Sequence, residues 1–199
     1  MTPLYAVAWP IVWLISKVFF FLGVKGKKNM PKTGPVVVCA NHVHALDPVA
    51  LAMICHRQIH FMSKYELFQK KFTKWLLTAL GAFPINREGN DLKAMKKSME
   101  ILKQGRVLGI FPEGTRSKTG GQLSFHEGAV TFALRCGAVL VPVGMNVCFK
   151  PFRKHRVVVG EPIDLSAYQG RKATKEEIAK VNRELEERVM ALTKQAKDQ

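Results

Sequence analysis

From Gly34 to Gly160 the chain alternates short, unbroken runs of Val, Ile and Leu with longer segments of helical period. No other feature limits its folding as sharply. A run of four to eight apolar residues without polar alternation suits a strand covered on both faces, and such strands belong to sheets layered between helices. The candidate strands are Val36–Ala40, Ile59–Ser63, Ala82–Asn86, Val107–Phe111, Val139–Gly144 and Arg156–Gly160. Helical segments fall between them at Pro48–Cys55, Asp91–Lys103 and Glu127–Cys136, and a final helix opens on the capping box Thr174-Lys-Glu-Glu177. Ile178, Val181, Leu185, Val189 and Leu192 form one stripe of that last helix, which reads as packing. The expectation is an α/β fold, a single layered domain with a mostly parallel or mixed central sheet flanked by helices.

With 199 residues, 47% of them hydrophobic and 23% charged, the chain has the size and composition of one ordinary domain. Such a length buries about 70% of the unfolded surface without a metal or disulfide staple. Disordered, collagen-like and multi-span membrane classes are excluded by composition. The charge is lopsided, at +16 from 31 Lys and Arg against 15 Asp and Glu. That excess suits nucleic acid, an anionic membrane surface or an acidic partner. A nucleic-acid module would show an aromatic-lined sheet or an Arg- and Asn-rich recognition helix, and neither is present, so nucleic acid is not expected as a partner. Cys39, Cys55, Cys136 and Cys148 are dispersed, with no Cys-x-x-Cys pair, as expected of unpaired thiols in a reducing compartment.

The N-terminus points to the membrane. Leu4 to Val24 is a 21-residue apolar stretch broken only by Pro10, Ser16 and Lys17. As one helix it would be about 31 Å long, near the thickness of a bilayer core. No positive residue precedes it and no small-x-small cleavage site follows, so it does not read as a signal peptide. Lys25, Lys27 and Lys28 would hold the rest of the chain at the cytoplasmic face of the cell membrane. Both a crossing and a kinked helix lying in one leaflet fit the pattern. Residues 1–28 are therefore expected to be an N-terminal apolar membrane helix segment, and 29–199 the α/β domain. In Glu66–Leu80 the residues Phe68, Phe72, Trp75, Leu76 and Ala79 share one helical face, with Lys70, Lys71 and Lys74 elsewhere. An interfacial helix and a basic solvated face over a normal core both fit.

Chemistry-bearing residues gather where strands end. Val36–Ala40 runs into Asn41-His42-Val43-His44-Ala45-Leu46-Asp47-Pro48. Five residues separate His42 from Asp47, an offset that brings them together only if the chain turns before Pro48, a residue suited to the first turn of a helix. An imidazole with a carboxylate behind it is what a general base needs, although a capping Asp near a His is also commonplace. A metal site is the rival for His42-x-His44, but Leu46 and Asp47 stand where a two-zinc His-x-His-x-Asp-His site needs Asp and His. His56 and His60 flank Arg57 rather than the Glu of a zinc helix. A second segment, Gly109-Ile-Phe-Pro-Glu113-Gly114-Thr115-Arg116-Ser117, and a third, Gly81-Ala-Phe-Pro-Ile-Asn-Arg87, each place an Arg beyond a strand. Arg is the side chain best shaped to hold a phosphate, and surface ion pairing is its plainer use.

Taken together these segments resemble the glycerophospholipid acyltransferase family, and within it the bacterial lysophosphatidic acid acyltransferases. The family's Asn-His-x-Ser-x-x-Asp is matched at Asn41, His42 and Asp47, its Arg after an apolar strand at Arg87, and its Phe-Pro-Glu-Gly-Thr-Arg-Ser at every position from Phe111 to Ser117. Its apolar-Pro motif is matched by Val141-Pro142-Val143, and Phe61-Met-Ser-Lys64-x-Glu66-Leu67 is similar to the segment between its first two motifs. The resemblance runs from about Asn29 to Gly160. One position departs: His44 replaces the usual Ser.

The resemblance implies an O-acyltransferase of phospholipid synthesis. His42 would take a proton from the free sn-2 hydroxyl of lysophosphatidic acid and Asp47 would orient His42. The hydroxyl would attack an acyl thioester, carried by acyl carrier protein or coenzyme A, to give phosphatidic acid. Arg87 and Arg116, with Lys64, would hold the phosphate, and Glu113, Gly114 and Thr115 would shape that loop. Other lyso-phospholipids, or glycerol-3-phosphate, are alternative acceptors. No metal and no cofactor is implied. The bilayer would be a partner, and basic faces at Lys70–Lys74 or Lys150–Arg156 would suit an acidic carrier protein.

Overall fold

In a computed structural model the described residues are 1–86, 91–115, 124–168 and 171–198. They form one α/β domain around a mixed seven-stranded sheet. In chain order the elements are α1 (Pro3–Val18), β1 (Leu22–Lys25), β2 (Val36–Ala40), α2 (Asp47–Ala52), β3 (Ile59–Lys64), α3 (Lys71–Ala79), β4 (Phe83–Ile85), α4 (Leu92–Lys103), β5 (Val107–Ile110), α5 (Gly128–Cys136), β6 (Val139–Asn146), β7 (His155–Val159) and α6 (Lys175–Lys197), with short 3-10 turns at Lys27–Asn29, Tyr65–Phe68 and Ser166–Tyr168. The strand order is β1-β7-β6-β2-β5-β3-β4. Strands β6, β2, β5, β3 and β4 run parallel, while β7 pairs antiparallel with β6 and brings β1 alongside it.

The unbroken apolar runs explain this placement. Every residue of β2 is buried. Val36, Val38 and Ala40 face a core shared with α2 and the inner side of α1, and Val37 and Cys39 face a second core under α4, α5 and α6. A strand in that position has no solvent face to mark with polar residues. Helix α6 crosses β6 in backbone contact: a Cβ on Gly144 would lie 2.2 Å from the backbone of Leu192 and Thr193, so only glycine fits. The capping box at Thr174 is formed, its side chain accepting from Glu177 N–H while the Glu177 carboxylate accepts from Thr174 N–H.

The N-terminus differs from expectation. The apolar stretch is not one 21-residue helix: α1 has 16 residues, about 24 Å, and the chain then turns through Phe21 at φ 40° into β1. Hydropathy hid the break, because the strand Leu22–Lys25 is nearly as apolar as the helix before it and is defined by pairing with His155–Val158 far along the chain. Among the described residues no helix is long and apolar enough to cross a membrane, so the spanning reading of residues 1–28 is not upheld, and part of that segment belongs to the sheet. Helix α1 lies against the domain. The Trp9 indole N–H donates to the Ala52 carbonyl at 3.1 Å, and Thr2 N–H donates to Gln58 Oε1 at 2.9 Å. Its outer side exposes Val7, Ile11, Leu14 and Val18. Helix α3 has no buried residue; Phe72 and Trp75, which a normal core would have covered, are 70% and 59% exposed.

Candidate active site

Because β2, β3, β4 and β5 are parallel, their carboxyl ends share one edge of the sheet, the place where α/β folds gather ligands. Three of the segments singled out in the sequence leave the sheet there: Asn41–Pro48 from β2, Phe111–Thr115 from β5 and, as far as Asn86, the segment from β4.

The first makes the turn that the His–Asp spacing demanded. Asn41 fixes its start, its side-chain amide donating to the Met145 carbonyl at 3.0 Å while its Oδ1 accepts from Met145 N–H at 2.8 Å, which ties the end of β2 to β6. Six residues later Asp47 opens α2 with Pro48 in its first turn. The Asp47 carboxylate is fully buried, and one oxygen, Oδ2, meets three donors: His42 Nδ1 at 2.9 Å, Val43 N–H at 2.7 Å and His44 N–H at 2.8 Å. The bond to Asp47 places the proton of a neutral imidazole on Nδ1 and leaves Nε2 as the basic nitrogen. Among the described residues Nε2 has no partner, and the ring is 13% exposed. At position 44 the loop depends on the backbone N–H. The His44 ring turns away, its Nδ1 accepting from Leu46 N–H at 3.1 Å and its face lying 4.7 Å from Phe149. The change from Ser therefore keeps the backbone donor at position 44, while Asp47 Oδ1 has no hydrogen-bond partner among the described residues.

The second segment backs the first. The Phe111 ring stacks on His42 at 4.2 Å between centroids, and Phe61 lies parallel behind Phe111 at 6.0 Å. Space for Phe61 exists because residue 109 is glycine; a Cβ there would come within 2.3 Å of the Phe61 ring. Glu113 is buried and its Oε1 accepts the backbone N–H of His42 at 3.0 Å. Burial pushes the Glu113 carboxyl above its ordinary range, and the bond to His42 pulls partly the other way. Gly114 sits at φ 69°, where a Cβ would also meet the His126 ring at 2.9 Å, so the turn requires glycine twice over. Thr115 follows, exposed.

The structure thus brings His42, Asp47, Glu113 and Gly114 together. Lys64 stands at the carboxyl end of β3 on the same edge of the sheet, exposed and paired with Glu66 at 2.7 Å. Arg87 and Arg116 lie outside the described residues. Sequence reading missed the parts played by Asn41, Phe61, Phe111 and the Glu113 carboxylate. Phe61, Phe111 and Glu113 were marked only by the resemblance, whereas Asn41 left a physical signal, as an amide at a strand's end where its two groups can complete a neighbouring strand's ladder.

The Acyltransferase family matches residues 22–146, more than half of the chain. The 1-acyl-sn-glycerol-3-phosphate acyltransferase of Bacillus subtilis is 34% identical over 178 residues, covering 85% of this chain and 88% of that protein. The protein of the same description from Borreliella burgdorferi is 31% identical over 60% of this chain and 49% of its own length, and a chloroplastic one from Arabidopsis thaliana is 34% identical over 63% and 36%. The chain thus spans most of the first relative and about half or less of the other two. The crystal structure of the Thermotoga maritima 1-acyl-sn-glycerophosphate acyltransferase PlsC superposes with a TM-score of 0.69 at 24% identity, covering 94% of this chain and 78% of that one, a likeness of fold. On the family match and the Bacillus relative together, the chain belongs to the Acyltransferase family.

Proposed function

We propose that this chain transfers a fatty acyl group from a thioester to the sn-2 hydroxyl of lysophosphatidic acid, producing phosphatidic acid. The observation that carries the reading is the His42–Asp47 contact at 2.9 Å, with Nε2 directed away from the carboxylate at the ligand-binding edge of the sheet. The names of the three relatives support the choice of acceptor.

A thioester is already activated, so much of the remaining barrier lies in making a neutral hydroxyl nucleophilic. His42 Nε2 accepts the hydroxyl proton as the oxygen attacks the thioester carbonyl, and Asp47 stabilises the imidazolium that forms. Collapse of the tetrahedral intermediate expels the donor thiolate, which takes the proton from His42. Phe111 behind the ring and Glu113 on the His42 amide limit how far the base can move. Arg87, Arg116 and Lys64 hold the phosphate, the first two by bidentate contacts that suit guanidinium groups. Glu113, Gly114 and Thr115 shape the turn at the end of β5 that precedes Arg116.

The lyso-lipid and its product reside in a bilayer, so the enzyme works at the cytoplasmic face of the cell membrane, with α1 lying in one leaflet. The two ends of α1 are tied to the domain, Thr2 through its hydroxyl to the Ala79 carbonyl and Phe19 through its carbonyl to Phe152 N–H at 2.7 Å, which suits a helix lying flat. An apolar cavity of about 110 Å³ between α1 and α2, lined by Val12, Phe20, Leu46, Val49 and Phe149, adjoins the catalytic loop and has the volume of only a few methylene groups of an acyl chain.

The test is an acyl-transfer assay of purified protein in detergent, with acyl carrier protein and coenzyme A thioesters each offered against lysophosphatidic acid, other lyso-phospholipids and glycerol-3-phosphate. Preferential conversion of lysophosphatidic acid supports the assignment. A preference for another acceptor reassigns the substrate, and no transfer to any acceptor ends the proposal.

A further inference from the structure

Among the described residues three non-glycine residues have positive φ: Phe21 at 40°, Phe149 at 50° and Phe152 at 60°. A bulky residue in that region is strained, and such strain persists where the surroundings enforce it. All three lie where the end of α1 meets the loop between β6 and β7. The Phe152 ring is 6.1 Å from Phe19 and 6.3 Å from Phe21, and the two segments are joined by the Phe152 N–H to Phe19 carbonyl bond. Phe149 turns inward onto Phe20 and His155. The other three rings turn outward, Phe152 being 68% exposed and Phe19 and Phe21 about half exposed. Lys150, Arg153 and Lys154 surround Phe152 and are exposed as well.

We propose that the Phe19–Phe21–Phe152 cluster, rimmed by Lys150, Arg153 and Lys154, is a second point of attachment to an anionic bilayer, inserting its rings at the end of α1 remote from α3. The inference rests on the membrane-bound substrate proposed above. Contiguous exposed aromatic rings inside a basic rim match an anionic lipid surface in both parts, the rings entering the interface and the cations meeting headgroups. Helix α3, beside the start of α1, repeats the pattern with exposed Phe72 and Trp75 among Lys70, Lys71 and Lys74. Clusters at both ends hold α1 parallel to the surface, as its tethers to the domain require.

Sedimentation of full-length protein with phosphatidylcholine vesicles, with and without phosphatidylglycerol, tests this. Phe152→Ala is expected to weaken binding to the anionic vesicles about tenfold. Phe152→Gly, which suits the left-handed backbone, should do the same, and Phe152→Trp should retain binding. Lys150→Glu/Arg153→Glu/Lys154→Glu should lose at least tenfold on anionic vesicles and little on neutral ones, and salt should reproduce that loss in the unmodified protein. Wild-type vesicle binding by folded Phe152→Ala and Phe152→Gly proteins overturns the proposal. So does a charge-reversed protein that binds vesicles normally but loses only its activity with acyl carrier protein, since the rim then serves an acidic protein. A self-association that depends on Phe152, with vesicle binding unaltered, also overturns it. Transfer to detergent-dispersed lyso-lipid is measured in parallel. If that activity is absent but binding depends on Phe152 as expected, the acyltransferase reading fails while the lipid surface stands.

Discussion

The carboxyl edge of the sheet and the outer surface of α1 and α3 are built on opposite principles. At the edge, polar groups are wholly or partly buried and most are matched: Asp47 Oδ2 meets three donors, Asn41 pairs twice with Met145, and Glu113 is spent on one backbone N–H. Along α1 and α3, large apolar side chains face outward: Val7, Ile11, Leu14, Phe72 and Trp75. Neither arrangement is the most stable one available. Asp47 Oδ1 is buried with no hydrogen-bond partner among the described residues, which costs about 1–3 kcal/mol. A folded chain gains nothing from exposed Trp. Both regions depart from what folding alone favours, in the way the proposed roles require: a held charge for proton transfer at the edge, an uncovered apolar face for a bilayer along the helices.

The comparison breaks most readily at His42. His42→Ala should reduce acyl transfer by about 10²–10⁴-fold while leaving the melting temperature near that of the parent, since the ring contributes one hydrogen bond and one stacking contact. Asp47→Asn should lose nearly as much activity, because the charge that stabilises the imidazolium is gone and an amide can favour the wrong tautomer. It should also melt lower, because the carboxylate organises the Val43 and His44 amides. Turnover and thermal melts on the same preparations check both. Near-normal turnover in a folded His42→Ala protein would remove proton transfer from the edge of the sheet.

Gly109→Ala tests whether the stacked rings position His42. The added methyl meets Phe61 at 2.3 Å and Ile59 at 2.7 Å inside the sheet. Overpacking of this kind costs about 1–3 kcal/mol, which at this size lowers the melting temperature by roughly 2–4 °C per kcal/mol. Displacement passed through Phe111 should lower kcat about tenfold with little change in KM, although residue 109 touches no substrate. A destabilised variant with unchanged kcat would show that the stack serves the core only.

Much of this was legible in the sequence. The strands β2, β5 and β6 were readable because a fully covered strand has no reason to vary its apolar run. The His42–Asp47 pair was readable because its members lie five residues apart and Pro48 marks where the chain turns. What failed depended on distant partners. Strand β1 is a strand only because His155–Val158 lies beside it, and the Glu113 contact with the His42 amide joins residues 71 apart. Hydropathy cannot say whether an apolar residue faces a core or the outside, so Phe72 and Trp75 looked the same under either reading of α3.

A smaller effect separates burial from function near the amino end of β3. His60 is buried in β3 and its Nδ1 lies 3.0 Å from the Gly81 carbonyl, the geometry of a neutral ring donating from Nδ1. Burial lowers its pKa, and Arg106, Lys97 and the N-terminal amine act in the same direction. The unfolded chain then binds more protons than the folded one just below the ordinary value of about 6.5. Stability is fully present above that value and declines as pH falls through it. Burial lowers His155 likewise, so both contribute. Melting temperature should fall between about pH 7.5 and pH 5.5, and His60→Gln, which keeps a donor for Gly81, should flatten the fall in part. An unchanged slope would mean that His60 is charged or exposed in the folded protein.

The smallest expected effect tests the other half of the comparison. If the outer side of α1 serves a partner and not the core, Ile11→Gln/Leu14→Gln should leave folding almost untouched. Both residues are exposed, and Gln is as good a helix former as either. Surface changes of this kind fall within about 0.5 kcal/mol each, so the melting temperature should move by no more than a few degrees. Trp9→Ala, on the side of the same helix that donates to Ala52 and packs on His56, should cost clearly more. The two proteins should then separate in vesicle sedimentation: the double Gln variant loses affinity at near-wild-type stability, because it removes apolar area that the domain leaves exposed. A double variant that melts as low as Trp9→Ala would show that Ile11 and Leu14 stabilise the fold itself, and the outer side of α1 would have to be counted with the core.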